Sequence, residues 1–322
     1  MMAGVSSIFL ILICLGAGVW LRRTDRLKDS APAALNSVVL QVCLPALILT
    51  QIHSLPAGLE AGDPRVWFPI LVPWGVFAGA WLFFTRWGAW KGWTRETQGA
   101  LILVAGLGNT SFVGFPLVEA LYGREALGTA VLLDQLGSFL ALSTVGVAVA
   151  SRYSTRSRTK SRGIGGLFRF PPFLALIAGF ALRPVVFSES VVRVLERLAL
   201  PLVPLALLAI GVQLGSRQSP DGRSRDGVSK VAWALGYKLL LAPLGIALLG
   251  SLAFRLSHRS GGMELCVGII EAAMAPMITA AVVAEEFGLD PALGNRILAI
   301  GIPISLVTVP LWSVLLKALH LP

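Results

Sequence analysis

The stretch Gly106-Leu107-Gly108-Asn109-Thr110-Ser111-Phe112-Val113-Gly114-Phe115-Pro116 places three glycines, a proline and three small polar residues inside one apolar run of bilayer length. Ala273-Met274-Ala275-Pro276-Met277-Ile278-Thr279 holds the corresponding place in a second such run. Glycine and proline loosen the helical ladder, so nearby amides and carbonyls lose their partners and must find others. An interrupted helix also aims the positive end of a half-helix dipole into the membrane interior, where it attracts a carboxylate without a fixed cation. Two such breaks facing each other make an anion site. The competing explanation is that glycine and proline are common in membrane helices and that small residues permit close packing. Breaks at matching positions in both halves, with Asn109, Thr110 and Ser111 beside one of them, favour the site. The predicted substrate-binding set is Asn109, Thr110, Ser111, Pro276, Met277 and Thr279, with the helix breaks marked by Gly108, Pro116, Ala275 and Pro276.

Three ionisable residues fall within apolar runs, where an unpaired charge costs at least about 3 kcal/mol. Asp134 lies about 13 Å inside its helix and needs a partner or a proton, so it reads either as a proton carrier or as a hydrogen-bonded structural acid beside Gln135. Glu271, next to the second break, carries the same two readings. Lys238 is expected to snorkel to the near membrane edge as a structural residue. Gln41 and Gln213 either face the substrate path or, preferably, bond across helices. His53, His258 and His320 have no paired ligand spacing, so a metal centre is not expected. Asn109-Thr110-Ser111 matches a glycosylation sequon, but inside a membrane run it is out of reach. Neither a Gly-x-Ser-x-Gly elbow nor a Gly-Lys-Ser/Thr phosphate loop occurs, so hydrolase and nucleotide-driven chemistry have no support and no cofactor is implied.

The elements that must position these residues follow from composition. Of 322 residues 55% are hydrophobic and 14% charged, against roughly a quarter charged in a soluble domain. The apolar runs reach the 20 or so residues that cover a hydrocarbon core and lack the alternation of a membrane barrel, so an α-helical bundle is predicted. Spans are expected at 2–21, 32–52, 66–85, 97–121, 126–150, 170–187, 190–214, 231–254, 262–285 and 292–319. The first is followed, not preceded, by Arg22 and Arg23, the wrong order for a cleaved signal, and counts as a span. Cys14, Cys43 and Cys266 lie in apolar runs without redox or zinc spacing and read as packing residues.

The net charge of +10 sits in short loops without interleaved aromatics, so it reads as a topology signal and not as a nucleic-acid patch. Odd-numbered loops carry most of it: Arg22, Arg23, Arg26 and Lys28; Arg86, Lys91 and Arg95; the basic segment 151–169; and Arg217, Arg223, Arg225 and Lys230. The positive-inside bias then places both termini outside the cell membrane. Residues 1–150 and 170–322 form two halves of five spans joined by the basic linker 151–169. Leu44-Pro45-Ala46-Leu47 answers Val203-Pro204-Leu205-Ala206, and Tyr122-Gly123-Arg124-Glu125 answers Phe287-Gly288-Leu289-Asp290. Five is odd, so the second copy is inverted, the pattern of secondary transporters whose site lies at mid-membrane.

Gly108-Asn109-Thr110 with Gly114-Phe115-Pro116 and Tyr122-Gly123, followed by Ala272-Ala273-Met274-Ala275-Pro276 with Glu286-Phe287-Gly288, resembles the auxin efflux carrier family of plant auxin carriers and bacterial malate or malonate permeases. The resemblance extends over essentially the whole chain. It implies a homodimeric, ten-helix transporter of bile-acid-symporter-like fold, with spans 1, 2, 6 and 7 as scaffold, spans 3–5 and 8–10 as a moving transport domain, and spans 4 and 9 crossing at their breaks. By the same resemblance Asn109 bonds the substrate carboxylate and Pro276 marks the break. The chain departs from the plant pattern at Gly108, where those carriers have proline, and from many bacterial relatives at Ala275. The expectation is an elevator-type carrier of a small organic anion such as an auxin-like or malate-like carboxylate, with coupling to protons through Asp134 or Glu271. A sodium-coupled bile-acid-type symporter and a non-transporting membrane sensor or enzyme are the alternatives.

Overall fold

The computed structural model describes residues 2–28, 30–53, 64–155, 171–182, 185, 187–215, 225–256 and 262–319. Most of the basic linker, the residues 216–224 and both His258 and His320 lie outside them. The described chain is α-helical and has no strand among the described residues. Its helices are α1 (Met2–Arg23), α2 (31–53), α3 (Pro64–Trp90), α4 (Arg95–Gly106), α5 (110–122), α6 (Leu127–Tyr153), α7 (Pro171–Ala181), α8 (Glu189–Ala199), α9 (Leu202–Gly215), α10 (225–256), α11 (Gly262–Ala272), α12 (Ile278–Glu286) and α13 (Pro291–Ala318). Among the described residues five helices, α2, α3, α6, α10 and α13, are long and apolar enough to cross a membrane unbroken.

Local chemistry explains the boundaries. The Thr94 hydroxyl caps α4 by accepting from Thr97 N at 3.3 Å, and Asp290 caps α13 by accepting from Leu293 N at 3.3 Å, with Pro291 in the first turn. The helices α5 and α12 end alike, on Gly123 (φ 84°) and Gly288 (φ 72°), left-handed positions that glycine adopts without strain. Residues 190–214, expected as one span, are two helices. Pro201 has no N–H to donate back to the preceding turn, so the run splits between Ala199 and Leu202. The first piece, α8, is amphipathic with no buried residue.

Packing divides the helices into two groups. In one, α1 lies along α9, and α2 packs against α7, α8 and α9. The approach of α1 to α9 depends on absent side chains: a Cβ on Gly18 would stand 2.8 Å from Gly211 Cα, and one on Gly211 2.9 Å from Gly18 Cα. In the other group α3 packs on α4, α6 and α11, while α13 packs on α4, α10, α11 and α12. An aromatic cluster joins α3 to α10, with the Trp87 and Trp233 rings 4.6 Å apart and Tyr237 donating to Val76 O at 2.6 Å. The groups meet where α9 touches α12 and α13, where α1 touches α5 and where α7 touches α6. A polar link crosses between them where Asn36 Nδ2 on α2 donates to Glu285 Oε2 on α12 at 2.9 Å.

Several odd-numbered connections lie together at one end of the molecule. Arg95, which follows the third span, donates to Arg152 O at the end of the fifth over 2.9 Å, and Thr97 donates to Asp290, after the ninth, over 2.8 Å. At the opposite end Lys317 near the end of α13 reaches Leu121 O at the end of α5.

Candidate functional site

Span 4 is two helices, α4 and α5, separated by Leu107, Gly108 and Asn109; span 9 is likewise α11 and α12, separated by residues 273–277. The two interruptions meet. Asn109 N donates to Ala275 O at 2.7 Å and Met277 N donates to Leu107 O at 3.1 Å, so Gly108 and Pro276 face each other in a single antiparallel bridge. Main-chain groups that the breaks set free satisfy one another across the crossing instead of lying bare in hydrocarbon. Pro276 fits because Gly301 of α13 has no side chain: a Cβ there would come within 2.8 Å of the proline ring.

Around the bridge the residues singled out from the sequence come together. Asn109, Thr110, Pro276, Met277 and Thr279 are buried and Ser111 half-buried. Asn109 and Thr110 stand at the start of α5, and Met277 and Thr279 at the start of α12, so the positive ends of two half-helix dipoles converge on the crossing. Gly108 and Ala275 lie in the bridge itself, whereas Pro116 sits inside α5, just after its π-helical turn Thr110–Gly114 and away from the break. Pro116 is therefore not part of the crossover.

Asp134 on α6 accepts from the Thr110 hydroxyl at 2.5 Å and from the Ser111 hydroxyl at 2.7 Å. These two hydroxyls are thus already engaged by an internal carboxylate, which also lies at the positive end of α5. Glu271, in the last turn of α11, is 1% exposed, and neither of its carboxylate oxygens has a hydrogen-bond partner. Its oxygens lie against Gly114, where a Cβ would approach them to 2.6 Å.

Lys238 overturns the expectation that it snorkels. Its side chain is 1% exposed, and Nζ donates to Ala272 O at 3.0 Å, at the carbonyl end of α11. A π-helical turn over Tyr237–Leu241 re-aims the side chain, and such turns recur at functional sites. The apolar residues flanking Lys238 carried no hint that it turns inward; the signal within reach was its pairing with two other buried charges in the same set of spans. Gln41 also differs from expectation: it is exposed and donates to Ser37 within its own helix at 2.8 Å, so it neither lines the site nor bonds across helices.

A small cavity beside the bridge is lined by Gly108, Thr110, Ser138, Lys238, Glu271 and Ala272, with Val72, Pro73 and Val76 of α3 closing one wall. Its free volume of ≈ 10 Å³ holds about one water. This cavity is too small for a carboxylate-sized solute.

A sequence family described as membrane transport proteins matches residues 3–313. The chain belongs to this family of auxin efflux carrier-like transporters. An uncharacterized transporter of Methanothermobacter thermautotrophicus is 26% identical over 321 residues, covering 98% of this chain and 99% of the relative. The uncharacterized transporter MJ1031 of Methanocaldococcus jannaschii is 24% identical over 320 residues, covering 95% and 96%. The uncharacterized transporter YfdV of Escherichia coli is 23% identical over 327 residues, covering 94% of each chain. Family membership and the apolar helices together make this an integral membrane transporter.

Proposed function

We propose that the protein is a secondary transporter of a small organic anion, binding a carboxylate at the crossing of spans 4 and 9. The observation that carries this is the Gly108–Pro276 bridge, which brings two half-helix N-termini and the Asn109 amide to one point deep among the helices. Asn109 with the freed amides of α12 grips the carboxylate; Thr110 and Ser111 hold Asp134 in place behind it.

The two packing groups, with the bridge carried inside one of them, favour elevator-type alternating access. In this mechanism α1, α2 and α7–α9 form the scaffold of a homodimer, and α3–α6 with α10–α13 slide as one body carrying the site. Two inverted repeats of five spans, meeting at the bridge, supply the symmetry that makes inward and outward forms alike in energy. The similar glycine-terminated ends of α5 and α12 support this repeat. The grouping of basic, odd-numbered connections at one end supports a cytoplasmic assignment for that end and both termini outside the cell membrane.

Coupling falls to protons. Glu271 has no hydrogen-bond donor and lies in a cavity the size of one water, so it is the group that exchanges a proton, while Asp134 is held by two hydroxyls. The test is uptake of labelled mono- and dicarboxylates into proteoliposomes under an imposed pH gradient. Flux of at least one carboxylate that collapses with the gradient and persists when choline replaces sodium is the expected result. Flux that disappears with sodium would establish the bile-acid-type alternative, and binding without flux under any gradient would establish a sensor.

A further inference from the structure

We propose that Lys238 is a built-in cation, its ammonium standing in for a monovalent cation at the carbonyl end of α11, in the same cavity as the unpartnered carboxyl group of Glu271. The proposal rests on the transporter reading only for its location at the crossing; its chemistry is independent of flux.

Three features define the site. The carbonyl end of a half-helix carries partial negative charge, and the Lys238 ammonium is bonded to its last carbonyl, Ala272 O. Glu271 adds a buried carboxylate with both oxygens unsatisfied, and the Ser138 hydroxyl, on the same cavity wall, also has no partner. Clearance comes from the two glycines that bracket the first turn of α5. A Cβ on Gly108 would stand 2.9 Å from Lys238 Nζ, and one on Gly114 2.6 Å and 2.8 Å from the Glu271 oxygens. Each glycine leaves room for one charge, delivered from α10 and α11 respectively.

The charges that act on Glu271 among the described residues are Lys238 from α10 and Asp134 from α6; α3 offers only Val72, Pro73 and Val76 at this wall. Two carboxyl groups therefore face one ammonium. Fully ionised, the set would hold a net negative charge in a low-dielectric interior, which is strongly disfavoured. With Lys238 in place a single proton on Glu271 balances it, and the ≈ 10 Å³ of free space leaves no room for a hydrated metal ion. Without Lys238 the same ligands would need a second, exogenous cation. A covalently attached ammonium thus does the work of a bound coupling ion and makes the carrier indifferent to sodium.

The test is thermal unfolding of the purified full-length protein in choline, sodium and methylammonium chloride. The wild type is expected to unfold at the same temperature in all three salts. Lys238→Ala is expected to unfold lower in choline and to be raised by about 2–5 °C in methylammonium or sodium, since a ligand that binds only the folded form stabilises it. Adding Glu271→Gln to Lys238→Ala should abolish that shift. A Lys238→Ala protein indifferent to the cation, a shift that survives Glu271→Gln, or a wild type itself stabilised by sodium overturns the proposal. If Lys238→Ala cannot be recovered folded, recovery of the double variant supports charge compensation, and failure of both overturns it. A result here stands whether or not any carboxylate is transported, so it fails separately from the function proposed above.

Discussion

The amide of Asn109 donates to the carbonyl of Ala275 over 2.7 Å, joining two helices that lie 166 residues apart in the sequence through main chain alone. Because the bond is made by the backbone, replacing the Asn109 side chain leaves it in place. Asn109→Ala should therefore leave the unfolding temperature within a few degrees of wild type while weakening carboxylate affinity about tenfold, the value of one hydrogen bond to a charged group. Binding measured by thermal shift over a carboxylate series, together with proteoliposome flux, checks both halves of the expectation.

Asp134 is the acceptor for two hydroxyls, and truncating it strands both. Asp134→Ala is expected to cost about 1–3 kcal/mol by leaving Thr110 and Ser111 unsatisfied, whereas Asp134→Asn, which keeps an acceptor oxygen, costs less. Denaturation of the two variants side by side gives the ordering; equal losses would show that the hydroxyls find other partners.

Gly108 and Gly114 differ from ordinary packing glycines because what they clear is charged. Gly114→Ala pushes directly on a buried carboxylate, and Gly108→Ala on both an ammonium and, at 3.2 Å, the Glu271 carbonyl. Each should destabilise by about 1–3 kcal/mol. Gly128, with open space around it, is the control: Gly128→Ala should be neutral or slightly stabilising.

Gly211→Val is expected to separate α1 from α9. Its Cβ would collide with Gly18 Cα and the Leu15 backbone, atoms that no rotamer change can move. Loss of folded protein on size-exclusion chromatography, with Gly16→Ala unaffected because nothing lies within 4 Å of it, would locate the effect in this close approach.

Asn36 spans the two packing groups, so removing its bond to Glu285 should alter motion more than stability. Asn36→Ala is expected to change the carboxylate exchange rate several-fold while costing only about 1 kcal/mol. Counterflow rates, compared with unfolding temperatures on the same preparations, separate the two effects.

Sequence alone determined the class of molecule, because apolar runs of bilayer length and a scarcity of charge leave a helical membrane bundle as the workable solution. It also located both interruptions, since glycine and proline act on their own backbone and their effect is local. The tertiary structure decided which groups those interruptions bring together. Only folding shows that Thr110 and Ser111 serve Asp134, that Pro116 lies outside the crossover, and that Lys238 turns inward to the end of α11 and not toward the membrane edge. A side chain's partner across a membrane bundle depends on helix rotation and local winding, here a π-helical turn at Lys238, and neither is written in the hydropathy of its neighbours.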